Sequence, residues 1–186
     1  TRVETEYGAQ PFQHYFVRDR CEPTVRGFQF DGAETAAASP EILNTLSGDR
    51  LRAVLVAPSN PFISIDPILA VPQIRSALCA SRAPVVAVSP VVGGDSIKGP
   101  TAKMMRELGI DVSPVEVARR YADFLDGFVV DAADTGVASQ IESLGIAVLT
   151  TNTVMNSLED RVALARVVLE FSDELSCRVG NNRLTT

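Results

Sequence analysis

The chain has 186 residues, 46% hydrophobic and 22% charged, which suits one globular domain or most of one. Its 17 basic and 23 acidic residues leave a formal net charge of -6, which argues against a nucleic-acid partner, because such binders carry a basic face. No run approaches the ~18 apolar residues of a membrane span, and Cys21, Cys79 and Cys177 form no CxxC pair. No disulfide framework or zinc signature is therefore expected, and a reducing, cytoplasmic setting is.

The opening Thr1-Arg2-Val3-Glu4 has neither an initiator Met nor an apolar signal segment, so the chain is expected to be processed or cut from something longer. Residues 1–50 read as an irregular, mixed segment. Within it, Val25–Phe30 alternates like an exposed strand, 33–38 is a small-residue linker and Pro40–Leu46 suits a short helix. His14 is the only histidine, and a structural or surface role is expected of it. From Leu51 the pattern turns regular. Leu51–Ala57, Ala83–Ser89, Gly127–Asp131 and Ile146–Thr150 are short, β-branched runs of strand length. Helical periodicity separates them at Gln73–Cys79, Thr101–Leu108, Pro114–Phe124 and Val137–Leu144, and a long amphipathic stretch follows at Leu158–Cys177. Strands alternating with helices predict an α/β fold, a Rossmann-like parallel sheet covered by helices over 51–178. Four strands make only half of a doubly wound sheet, and no GxGxxG fingerprint occurs. The first half of the sheet is expected to be absent or supplied by another segment. Residues 179–186 read as a frayed tail.

Ligands of such sheets bind beyond the C-terminal strand ends, and the sequences there are unusual. After the first strand, prolines bracket Ser59 and Asn60, which fixes the backbone so that a hydroxyl and an amide project; Ser64 and Asp66 then precede Pro67. After the second, Ser89 leads into Gly93, Gly94, Lys98, Gly99 and Pro100. Pro100 stands where a P-loop needs its lysine, so this is no Walker loop. Glycines, an expected helix start at Pro100 and the nearby Lys98 and Lys103 nevertheless suit an anion; a plain connecting turn is the alternative. After the third strand, Asp131 could hold a metal or a ribose, while Asp134 is expected to cap the helix near Val137. After the fourth come Thr151, Asn152, Thr153 and Asn156, with Ser157 and Asp160 spaced as a capping box.

Three blocks, PSNPFISIDPIL (58–69), SPVVGGDSIKGPTAKMM (89–105) and the strand ends VVDAAD and TNTVM, together with the opening RVETEYGAQPFQHYFVRDR, resemble the 2-phospho-L-lactate transferase family, called CofD in archaea and FbiA in actinobacteria. The resemblance covers nearly the whole chain and identifies it with the C-terminal portion of that family, without the N-terminal section that carries a glycine-rich nucleotide loop. It implies a magnesium-dependent transfer in coenzyme F-420 biosynthesis. The terminal ribityl hydroxyl of the deazaflavin Fo attacks the phosphorus bearing a lactate or enolpyruvate group, and GMP leaves a guanosine-diphosphate-activated donor. A homodimer is expected. Composition biased to Ala, Arg and Val leans towards the enolpyruvyl donor. The candidate binding residues are Ser59, Asn60, Ser64, Ser89, Gly93, Gly94, Lys98, Gly99 and Thr153, with Gly93, Gly94 and Lys98 on the donor phosphates; catalytic residues and metal ligands stay unassigned. Two other readings remain: an NAD-binding Rossmann-like domain, against which the missing GxGxxG counts, and a non-catalytic dimerisation or ligand-binding half of the transferase.

Overall fold

A computed structural model describes residues 1–97 and 99–182. The chain opens with an antiparallel sheet of β1 (Arg2–Thr5), β2 (Gly8–Pro11) and β3 (Val25–Gln29), in the order β2-β1-β3. A π-helical turn, His14–Arg18, joins the last two, with His14 exposed. Helix α1 (Pro40–Ser47) leads into the main sheet. There β4 (Val54–Val56), β5 (Val85–Val88), β8 (Gly127–Asp131) and β9 (Ala147–Thr151) run parallel in sequential order. Between β4 and β5 come a π-helical turn (Pro61–Ile65), α2 (Asp66–Leu69) and α3 (Pro72–Cys79). A small hairpin, β6 (Val91–Val92) and β7 (Asp95–Ser96), follows β5. Then come α4 (Thr101–Glu107) and α5 (Pro114–Arg120) before β8, α6 (Ala138–Glu142) before β9, and α7 (Leu158–Asn182) after it.

Local chemistry sets these elements. Proline stands at or beside the first helical position of α1, α3 and α5, where its missing N–H has no partner to lose. The Ser113 hydroxyl accepts the Val115 N–H to start α5. At the head of α7 the Ser157 hydroxyl accepts from Asp160 N, and the Asp160 carboxylate accepts from Ser157 N and Asn156 N. The capping box read from the sequence is therefore formed.

Strand alternation divides the core into two layers. Val85, Ala87, Phe128 and Val130 point to one face, against Met104, Met105, Val117, Tyr121 and Ile141. Val86, Val88 and Val129 point to the other, beneath Leu164, Val168, Phe171 and Leu175 of α7. The expected parallel α/β sheet is thus present. Its details differ from expectation where tertiary context decides. The first strand shrinks to Val54–Val56. The helix expected to reach Phe124 stops at Arg120, and turns bring Phe124 and Leu125 inward. Helix α6 is entered through a 3-10 turn, Ala132–Val137. Helix α7 runs beyond Cys177 to Asn182, so the first residues of the expected tail are helical; 183–186 lie outside the described residues. No single helix among the described residues is long and apolar enough to cross a membrane.

Candidate functional site at the strand ends

The C-terminal ends of β4, β5 and β9 and the start of α4 enclose a pocket of about 140 Å³, whose walls include Asn60, Ser89, Val92, Ile97, Thr101 and Thr153. Three of the nine candidate residues, from three different strand ends, meet there: Asn60, Ser89 and Thr153. Ser59 is half-buried just before Asn60, and Ser64 is exposed on the following turn; neither lines the pocket.

Each converging group is held by hydrogen bonds. The Asn60 carbonyl accepts from the N–H groups of Phe62 (2.9 Å) and Ile63 (3.3 Å), which satisfies the orphan donors at the start of that helical turn. Its amide donates to Met104 Sδ at 3.3 Å. The buried Ser89 hydroxyl donates to Val91 O at 2.8 Å and accepts from Val91 N at 3.1 Å, which fixes the turn out of β5. Thr153, also buried, donates from both its N–H (2.8 Å) and its hydroxyl (3.0 Å) to Asp131 Oδ2. The other Asp131 oxygen accepts from Ala133 N at 3.0 Å.

Asp131 is therefore a buried hub that ties the end of β8 to the end of β9. Burial acts to raise its carboxyl pKa, but the Ala133 and Thr153 N–H groups and the Thr153 hydroxyl outweigh it and hold the group below its ordinary value. With three protein donors on it, Asp131 positions Thr153 at the pocket. No spacing signal could have shown this, because the bond spans 22 residues and exists only once β8 and β9 pair.

The glycine loop also takes a definite form. Gly93 and Gly94 are the two-residue turn between β6 and β7, with φ of 60° and 76°. That conformation at both central positions is the hairpin turn that favours glycine, so the pair has a structural reason apart from any ligand. Replacing Gly94 with alanine is expected to cost about 1 kcal/mol, read as a lower urea midpoint with an unchanged slope. Asp134, expected as a helix cap, does something else: its carboxylate accepts the Gly93 N–H at 2.9 and 3.1 Å, pinning the hairpin to the end of β8. Gly99, with φ of 75°, accepts the Ser96 hydroxyl at 3.2 Å, and Ser96 Oγ accepts Ala102 N at 3.3 Å, closing the loop onto α4. Lys98 lies outside the described residues. Lys103 turns away from the loop. Its ammonium donates to Pro23 O at 2.9 Å and pairs with Glu107, whose carboxylate accepts Val25 N–H at 2.9 Å. It bolts α4 to the N-terminal sheet and is not a second cation for an anion at the loop.

Among the described residues no group of three or more His, Cys, Asp or Glu side chains is arranged to hold a metal ion. Asp131 and Asp134 are engaged as above, so among the described residues no such cluster composes a magnesium site by itself. A larger open cleft of about 800 Å³ lies elsewhere, between the β1–β2 turn and residues 18–23, with Glu6, Arg18, Asp19 and Arg20 among its walls. Its charges are of both signs and it touches no end of the parallel sheet. The smaller pocket, where groups from several strands converge, is the better candidate.

The sequence matches the family model described as 2-phospho-L-lactate transferase CofD over residues 1–164. The 2-phospho-L-lactate transferase of Methanosarcina mazei is 38% identical over 170 residues, which cover 91% of this chain and 55% of that protein. The 2-phospho-L-lactate transferase of Methanopyrus kandleri is 36% identical over 178 residues, 94% of this chain and 55% of that protein. The phosphoenolpyruvate transferase of Kitasatospora aureofaciens is 34% identical over 177 residues, 94% of this chain and 54% of that protein. The chain spans about half the length of the curated relatives it matches. It belongs to the 2-phospho-L-lactate transferase CofD family.

Proposed function

We propose that the strand-end pocket forms part of the site of a transferase that moves a 2-phospho-lactate or phosphoenolpyruvate group from a guanosine-diphosphate-activated donor to the ribityl hydroxyl of the deazaflavin Fo. The hydroxyl oxygen forms the new bond to phosphorus, and the bond from that phosphorus to GMP breaks. The observation that carries this reading is the convergence of Asn60, Ser89 and Thr153 at one pocket, at the edge where parallel sheets bind ligands, in a chain of a transferase family. Transfer of this kind depends on in-line positioning and charge neutralisation more than on covalent catalysis. In this reading Asn60 serves the shared pocket, Thr153 its polar wall, and Gly93, Gly94 and Lys98 the donor phosphates. A phosphate at Gly93 takes the place of the Asp134 carboxylate, an anion that already sits on that N–H. Magnesium serves the reaction in the complete enzyme, where one or two carboxylates and the donor phosphates would suffice to hold it. The same reading takes the complete enzyme as a homodimer.

An NMR titration of the ¹⁵N-labelled chain with GDP and magnesium chloride tests the site. Amide shifts at Gly93, Gly94 and Gly99 are expected, and Asp134→Ala should strengthen them by removing the competing carboxylate. A folded chain whose loop amides stay silent, or which shifts only around the N-terminal cleft, would overturn the assignment.

A further inference from the structure

The polar side chains that converge at the strand ends have a hydrogen-bond polarity set by the fold. The Asn60 side-chain oxygen accepts the N–H groups of Phe62 and Ile63. Two backbone donors on that oxygen decide how the amide is turned, so its NH₂ is what it presents elsewhere. Met104 Sδ takes one of those hydrogens at 3.3 Å, and among the described residues no second acceptor stands on the other. Asn60 is therefore a donor at the pocket it lines.

Thr153 has the opposite polarity. Its hydroxyl owns a single hydrogen, which goes to Asp131 Oδ2 at 3.0 Å. Burial works against ionisation of that carboxylate, but the donors on it outweigh burial and keep it charged. Towards the pocket Thr153 is left with lone pairs alone. Ser89 has likewise given its hydrogen away, to Val91 O. A phosphate oxygen, which also only accepts, finds no donor at either hydroxyl, and the Asp131 charge stands behind Thr153 to repel it.

Pro58, Pro90, Val92, Ile97 and Met155 supply apolar walls. They would strand the several hydroxyls of a sugar or an open polyol away from water, and they suit a flat ring whose polar atoms lie along one edge. The space, about 140 Å³, is well below the ~300 Å³ at which pockets for whole ligands begin, so it has room for one ring system and not for a nucleotide. We infer that the pocket selects an uncharged heterocycle with an amide-like edge, its carbonyl accepting from Asn60 and its N–H donating to Thr153. Asn60 and Thr153 are then the specificity-determining residues of the site, and phosphates are left to the glycine loop. In the transferase reading on which this rests, guanine and the deazaflavin ring both carry such an edge.

The ¹⁵N-labelled chain is titrated separately with guanosine, Fo and sodium pyrophosphate, following the Asn60 side-chain NH₂ and the Thr153 amide. At least one of the two ring compounds should move both signals, which identifies the ring the pocket takes, and pyrophosphate should move neither. Asn60→Asp keeps an oxygen for Phe62 and Ile63 but cannot donate, so the turn is retained while affinity for that ring should fall ~10-fold. Thr153→Val should weaken it similarly, and Thr153→Ser should keep the native affinity. Pyrophosphate shifts at Gly93 and Gly94 report on the phosphate loop separately, and their absence would count against that loop alone. Movement of Asn60 and Thr153 by pyrophosphate, silence towards both rings, or native ring affinity in Asn60→Asp or Thr153→Val would overturn the inference.

Discussion

Replacing Asp131 with alanine is expected to lower the unfolding free energy by about 3 kcal/mol, because it strands the N–H groups of Ala133 and Thr153 and the Thr153 hydroxyl at a buried position. Asparagine should recover only part of the loss. Its one carbonyl oxygen can replace one carboxylate oxygen, but its NH₂ then faces a donor. The pH dependence follows from the depressed carboxyl pKa. A group that ionises more readily in the folded than in the unfolded chain contributes its full stabilisation above the ordinary aspartate range, near ~3.9. That contribution disappears as the pH falls through the lower, folded-state value. Urea unfolding of the native and Asp131→Ala chains should therefore show a wide gap at pH 7 that narrows towards pH 3. A variant that unfolds within ~0.5 kcal/mol of the native chain at pH 7, the range of an ordinary surface change, would show that the hub is not structural.

The repeating strand–helix pattern was legible because burial on both faces forces continuous β-branched runs, such as Val85–Val88 and Gly127–Asp131, which little else in a globular chain imitates. The β1–β2 hairpin was not, because Arg2–Thr5 and Gly8–Pro11 bury only Val3 and Thr5, too weak an alternation to stand out. Strand ends were also poorly marked. Leu51, Arg52 and Ala53 have the composition of a strand, but the ladder to β5 begins at Val54.

The place of the candidate site could be read from architecture alone, since the C-terminal edge of a parallel sheet is where its loops converge. The roles within it could not. Asn60 and Ser89 look like projecting ligand groups in the sequence, yet each also satisfies backbone N–H groups close to itself. Gly93 and Gly94 are equally compatible with a phosphate loop and with a hairpin until their φ angles are known. Asp134 has the spacing of a helix cap, but its carboxylate accepts the N–H of Gly93, 41 residues away. These are tertiary pairings, and single-sequence periodicity carries no information on them.

Truncating Phe171 to alanine is expected to cost about 4 kcal/mol, through the seam by which α7 is fastened to the sheet. Phe171 is 8% exposed and packs with Val86, Val88 and Val129. The sequence makes room for it at Gly127, the first residue of β8, where an added Cβ would lie 2.7 Å from Phe171 Cε1 and 2.7 Å from Leu175 Cδ1. Gly127→Ala alone should therefore overpack the seam and cost about 1–3 kcal/mol. The two changes share one space, so they should not add. With the Phe171 ring gone, the alanine methyl at 127 enters part of the cavity that truncation leaves, and the double variant should be more stable than the sum of the single losses predicts by at least ~0.5 kcal/mol. Urea unfolding of the four chains gives the coupling directly. Strict additivity would mean that the two residues do not meet, and that α7 rests on the sheet in a register other than the one that places Phe171 over Gly127.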